Sequence, residues 1–207
     1  MNELANIDTK TGLPANITGM ATALRRSADT VSAGGNKPFL KFTKFGEWVY
    51  GTDNVEIEQT EEWAVNVARA ASGWVGWGDK AHGTEGQPMG EEFAYVMAGE
   101  QMKTEEELPE IDGQWAQAVS LEFKEVDGAT ELLWKASSKG AKDSYAALMV
   151  KVAEKLEEED PYFFPVVTMS RSSYQHDKYG KIFTPVLDVV RWVNINGEAA
   201  ATKRKRS

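Results

Sequence analysis

"QWAQAVSLEFKEVDGATELLWKASS", Gln114–Ser138, is the stretch whose reading decides the fold. Val119, Leu121 and Phe123 alternate with Ser120, Glu122 and Lys124, which is the period-two pattern of a strand with one apolar face. Asp127-Gly128 is a strong hairpin-turn signal, and "ATELLWKASS" returns from it as a second strand.

Similar patterns flank this hairpin. Upstream, "FLKFTKF" alternates, with Phe39, Lys41, Thr43 and Phe45 on one side and Leu40, Phe42 and Lys44 on the other. "GEWVYG", "EEWAVNV" and "GWVGWG" follow as further short strands. Downstream, "FFPVVTMSRSSY" and "KIFTPVLDVVRWV" close the set, and Pro165 and Pro185 place edges or bulges there. One helix is expected at Ser144–Glu159, where Tyr145, Leu148, Met149, Val152 and Leu156 form an apolar stripe, with Asp143 or Ser144 as the cap. Its last turn, "LEEED", sets acid against the negative end of the helix dipole, so docking by the stripe is expected to hold it. A second helix is a weaker reading of "EEFAYVMAGEQM", Glu91–Met102.

The expected class is β-rich: mainly β with one packed helix, as an OB-like barrel or a related α+β sheet. A five-stranded barrel of that type carries its helix between the third and fourth strands. Here the helix falls between a strand group and a final strand pair, and there are more than five strand candidates. The expected organisation is a flexible N-terminal arm over 1–36, with a short helix around Met20–Ala28, a domain over 37–193 and a basic C-terminal tail over 194–207. Residues 80–113 read as an acidic insertion within the domain.

With 207 residues and no cysteine, the chain can bury a real core but cannot form disulfides, thiolate zinc sites or cysteine nucleophiles, which suits a reducing, cytoplasmic setting. No apolar run is long enough for a membrane helix, and no secretory signal opens the sequence. The net charge of −9 is unevenly spread. Residues 51–115 carry three Lys/Arg against fifteen Asp/Glu, whereas residues 161–207 carry eight against three. Four of those eight belong to "KRKR", Lys203–Arg206. A polyanion responds to local field more than to total charge.

No catalytic motif emerges. A phosphate-cradling loop ending in Lys-Ser/Thr is missing, and the tryptophans of "GWVGWG" leave no room for a pyrophosphate. "SSYQHD" brings Ser172, Ser173, His176 and Asp177 together only in sequence, which is no sign of a triad. We expect no enzyme activity, cofactor or metal. The seven tryptophans and the basic ribbon "SSYQHDKYGKIFTPVLDVVRWV", Ser172–Val193, are more informative. Trp63, Trp115 and Trp134 read as core, while Trp74 and Trp77 are either a packed hairpin corner or an exposed stacking surface. Single-stranded nucleic acid needs cations for its backbone and flat rings for its bases. Lys41 and Lys44 supply cations in one outer segment, where Lys41 shares its face with the rings of Phe39 and Phe45; Arg171, Tyr174, His176, Lys178, Tyr179, Lys181 and Arg191 supply cations and rings in the other. Each has an ordinary alternative: the lysines keep an edge strand soluble, and the tyrosines cover a sheet edge.

"FLKFTKFGEWVYG", "GWVGWGD", "SSKGAKDSYAALM" and "SYQHDKYGKIFTPVLDVVRW" together resemble proteins encoded by tailed bacteriophages near replication and recombination genes. That group is similar to phage single-stranded DNA-binding proteins with an OB core, and the resemblance covers about residues 38–193. It implies binding of single-stranded DNA without strong sequence preference, with replication or recombination proteins as further partners, and it is compatible with a homo-oligomer. The ending "ATKRKRS" departs from the acidic, apolar-tipped tail that many such proteins use to recruit partners. The rival reading is an accessory protein that binds host or phage proteins through its acidic surface.

Overall fold

The computed structural model describes residues 37–199 and the backbone of Ile7–Asp8 and Leu13–Pro14. The expected helix around Met20–Ala28 and the Lys203–Arg206 run lie outside these residues, as does most of the proposed N-terminal arm. The chain divides into two units, residues 1–37 and 38–207. In the first, β1 (Ile7–Asp8) pairs antiparallel with β2 (Leu13–Pro14).

The second unit is β-rich with one helix, and its sheet curls strongly into a half-barrel of OB-like form. Its strands are β3 (Phe39–Phe42), β4 (Trp48–Tyr50), β5 (Val55–Glu56), β6 (Trp63–Val65), β7 (Ala71–Gly78), β8 (Pro88–Tyr95), β9 (Gly113–Glu125), β10 (Glu131–Ala136), β11 (Phe164–His176) and β12 (Gly180–Val193), with α1 (Lys139–Glu157) before the last two. The sheet order is β12-β11-β6-β9-β10-β3-β4-β5, and β7 and β8 extend from the side of β9. The β9–β10 hairpin read from the sequence is the spine. β10 pairs with the last part of β9 along one edge, while β6 and β7 share the other edge.

Alternation makes the core. Leu121 and Phe123 of β9, Leu132 and Trp134 of β10, Trp63 of β6 and Leu40 of β3 are all fully buried. Trp48 tilts against Trp134 with ring centroids 5.5 Å apart, and Phe42 meets Trp48 edge-on at 5.1 Å. The helix closes this core with Tyr145, Leu148 and Val152 buried and Met149 and Leu156 packed at its margin, the stripe expected from the sequence.

Two local expectations are corrected. The helix starts a turn earlier than its stripe suggests, at Lys139, with the Ser138 hydroxyl rather than Asp143 or Ser144 as the cap, accepting from the Ala141 N–H at 3.3 Å. Gly140 disguises this turn, since glycine weakens a helix reading. It is needed because a Cβ there would come within 2.8 Å of Thr184 Cγ2 on β12. Glu91–Met102 forms no α-helix: it is the end of β8, then a 3-10 turn at Val96–Ala98. Ladder bonds to β7 from Ala71 to Trp77 override the helical propensity of that stretch. At the helix end the acid is answered, because Lys155 lies 2.5 Å from Glu158 and 2.7 Å from Asp160.

The prolines fall where backbone donors are dispensable. β12 is an edge strand and holds Pro185, and the β11 register shifts at Val166/Val167, next to Pro165. Among the described residues no ladder closes the half-barrel. Between the β3–β4 turn and β11, Trp48 Nε1 donates to the Ser170 carbonyl at 2.8 Å. Arg171 Nη1 donates to the Phe45 and Gly46 carbonyls at 3.1 and 3.2 Å.

Candidate nucleic-acid interface

β6 pairs with β11 only at Val166 and Val167. Beyond that point β11 and β12 leave the sheet as a two-stranded ribbon in unbroken register from Val167↔Val189 to His176↔Gly180. At its tip Gly180 adopts φ +74°, the left-handed conformation that the turn needs. The His176 ring braces this turn, because its Nδ1 accepts from the Lys178 and Tyr179 backbone N–H groups at 3.1 and 3.3 Å. Its centroid lies 4.8 Å from that of Tyr179, and Lys178 Nζ sits 5.3 Å from the Tyr179 ring. His176 is thus a positioning residue for an exposed ring.

Register divides the ribbon into two faces, since residues opposite each other in a ladder share a face. Arg171↔Pro185, Ser173↔Phe183 and Gln175↔Lys181 lie on one, whereas Ser172↔Thr184, Tyr174↔Ile182 and His176↔Gly180 lie on the other. On the first face the Arg171 guanidinium carbon is 5.2 Å and Lys181 Nζ 4.9 Å from the Phe183 ring. The β3–β4 turn joins this face through the Arg171 bonds and brings Phe45, 61 % exposed, with Lys44 Nζ 5.1 Å from its ring. The second face looks toward the helix start, where Thr184 meets Gly140 and Tyr174 lies within electrostatic range of Lys139.

The residues named from the sequence therefore separate. Lys44, Arg171 and Lys181 gather along one side of the ribbon, Lys178 and Tyr179 stand at its tip against the His176 ring, and Tyr174, though half exposed, is on the reverse side with His176. Lys41 points outward from β3 but holds a neighbouring turn, with Nζ donating to the Gly51 carbonyl at 3.2 Å and Asn54 Oδ1 at 3.3 Å. Phe45 does not continue its face, because β3 ends at Phe42 and the chain turns from Thr43. Trp77 is exposed on β7, a strand paired only with β8 and β9.

Trp74 is corrected to a core residue: it is 7 % exposed and its Nε1 donates to the Lys103 carbonyl at 2.9 Å. Arg191 is corrected from a backbone contact to one half of an ion pair, with Nε and Nη2 each 2.8 Å from Glu62 Oε2. That partner is 129 residues away, beyond the reach of any local pattern. Arg191→Ala is accordingly expected to leave affinity for a single strand unchanged within about twofold, because a paired surface cation offers little to a phosphate; a labelled-oligonucleotide titration checks this.

Phe183 is the ring that sequence reading left out, whereas Phe45 was already legible as a ring beside the lysines of its run. The signal for Phe183 was the cation two residues before it, Lys181, within a run that otherwise reads as a plain strand. Among the described residues no three His, Asp or Glu side chains group to hold a metal ion, and no helix is long and apolar enough to cross a membrane. No protein-family model, curated protein or solved structure matches this chain.

Proposed function

We propose that this protein binds single-stranded DNA, without strong sequence preference, along the side of the β11–β12 ribbon that carries Arg171, Phe183 and Lys181. The observation that carries the reading is the interleaving of cations with rings along the β3–β4 turn and the ribbon, where Phe45 and Tyr179 are exposed and Phe183 is half-buried. Bases stack on Phe45, Phe183 and Tyr179, while Lys44, Lys178, Lys181 and the outward N–H groups of Arg171 meet phosphates. Ring contacts of this kind tolerate any base, because each base has a flat face.

The protein's net charge does not oppose this, since its acid is concentrated on other strands and loops. The resemblance to tailed-phage proteins supplies the setting, replication or recombination in the host cytoplasm. Binding by this route releases counterions. The double variant Lys178→Ala/Lys181→Ala is expected to lower the slope of log K against log salt by about 1.4, roughly 0.7 for each phosphate that is no longer neutralised. A slope equal to that of the unaltered chain would remove these lysines from the interface.

A further inference from the structure

The side of β7, β8 and β9 that carries Trp74 and Trp115 holds a second feature, unconnected with the ribbon. Trp74, Gly76 and Gly78 share a face of β7, and Trp115 of β9 stands opposite Gly76. Small residues make a bed for the Trp115 ring: a Cβ at Gly90 would come within 3.0 Å of it, and one at Gly76 within 3.3 Å. Two indoles then pin the acidic loop before β9, Trp74 to the Lys103 carbonyl and Trp115 to the Pro109 carbonyl, each at 2.9 Å.

Between the pinned loop and the sheet lies an open groove of about 830 Å³. Met89, Leu108, Ile111 and Trp115 give it an apolar floor, and Glu105 and Glu110 stand on its rim. Neither glutamate has an ion pair among the described residues. The nearby cations are engaged elsewhere: Lys103 lies 2.8 Å from Glu92, and His82 2.8 Å from Asp79. An apolar floor with an unanswered acidic rim fits a basic segment with aliphatic stems, which lay their methylenes on the floor and their charges on the rim.

This chain carries such a segment, Lys203–Arg206, four consecutive cations. Its own groove is badly placed for it. Ala199 is bridged to Val193, which sits opposite Phe164 at the far end of the β11–β12 pair. Through β6, that level corresponds to the Glu122 end of β9, seven residues from Trp115. Over the sheet surface the separation from Ala199 is about 23 Å along the strand direction, plus four strand spacings of about 4.8 Å sideways. Fully extended chain from Ala199 spans about 14 Å to Lys203 and about 24 Å to Arg206, so at most the end of the run could approach its own groove and the four cations could not lie along it. We infer that the Trp115 groove receives the Lys203–Arg206 segment of a second copy of this chain, giving head-to-tail association.

The test is sedimentation velocity on the full-length, nuclease-treated protein at low and high salt. The native chain should self-associate at low salt and dissociate at high salt. Glu105→Lys/Glu110→Lys should weaken association at least tenfold, as should replacement of Lys203, Arg204, Lys205 and Arg206 by alanine. Both glutamates are exposed, so the first variant should fold, which circular dichroism checks. Joining Glu105→Lys/Glu110→Lys to glutamate at positions 203–206 should restore association, which loss of folding could not do. A chain that is monomeric at low salt, association that survives in the groove variant, or failure of the charge swap to restore it would each overturn the inference.

Discussion

Phe45→Ala combined with Tyr179→Ala is expected to weaken binding of oligo-dT by at least about 30-fold while leaving the melting temperature unchanged. Both rings are largely exposed, at 61 % and 67 %, so their loss removes little core. If each stacks on one base, the pair contributes about 2–6 kcal/mol to binding, at ~1–3 kcal/mol per base. Tyr174→Ala is the internal control. It removes a ring of similar exposure from the reverse face of the same ribbon, and is expected to weaken binding less than about threefold. Equal losses in the two proteins would mean that the strand does not follow the Arg171–Phe183–Lys181 side. Fluorescence anisotropy of a labelled oligonucleotide is the suitable readout, because Trp48, Trp63, Trp74 and Trp134 are buried and would report poorly on a strand held by Phe and Tyr.

The second large effect concerns the seam that closes the half-barrel. Gly46 has φ +81°, and a Cβ there would lie 2.8 Å from both Arg171 Cδ and the Phe183 ring. Gly46→Ala therefore adds left-handed strain of about 1 kcal/mol to a steric cost of about 1–3 kcal/mol, a total of about 2–4 kcal/mol by urea denaturation. Arg171 is poorly able to give way, since it is tied to the successive carbonyls of Phe45 and Gly46. The same displacement shifts the β3–β4 turn, and Phe45 with it, relative to the ribbon, so oligo-dT affinity should fall with stability. Gly180→Ala separates strain from crowding: φ is +74° there, but nothing lies within 4 Å of the added Cβ. It should cost about 1 kcal/mol. Equal costs at the two positions would show that the seam is not tightly packed.

Local patterns made the spine legible and left the long-range contacts hidden. The alternation in Gln114–Glu125 and the Asp127-Gly128 turn place β9 and β10, and the Tyr145–Leu156 stripe places the buried face of α1. β8 could not be read in the same way, because "EEFAYVMAG" is helical in composition and is a strand only through its ladder to β7. The ribbon was visible as a cluster of cations and rings, but its division into two faces is set by the register at the Gly180 turn, where a shift of one residue would exchange the faces. Trp74 and Arg191 read as available groups until distant partners, the Lys103 carbonyl and Glu62, claim them. Conversely Phe45 gains its place beside the ribbon through a bond from Arg171, 126 residues away, to its carbonyl.

Titrating a labelled oligo-dT with the folded, full-length protein at low salt, and repeating it at high salt, tests the central claim most directly. Saturable binding is expected, with log K falling linearly with log salt and with affinity lowered in Phe45→Ala/Tyr179→Ala. No binding at low salt by protein with a native circular dichroism spectrum would contradict it.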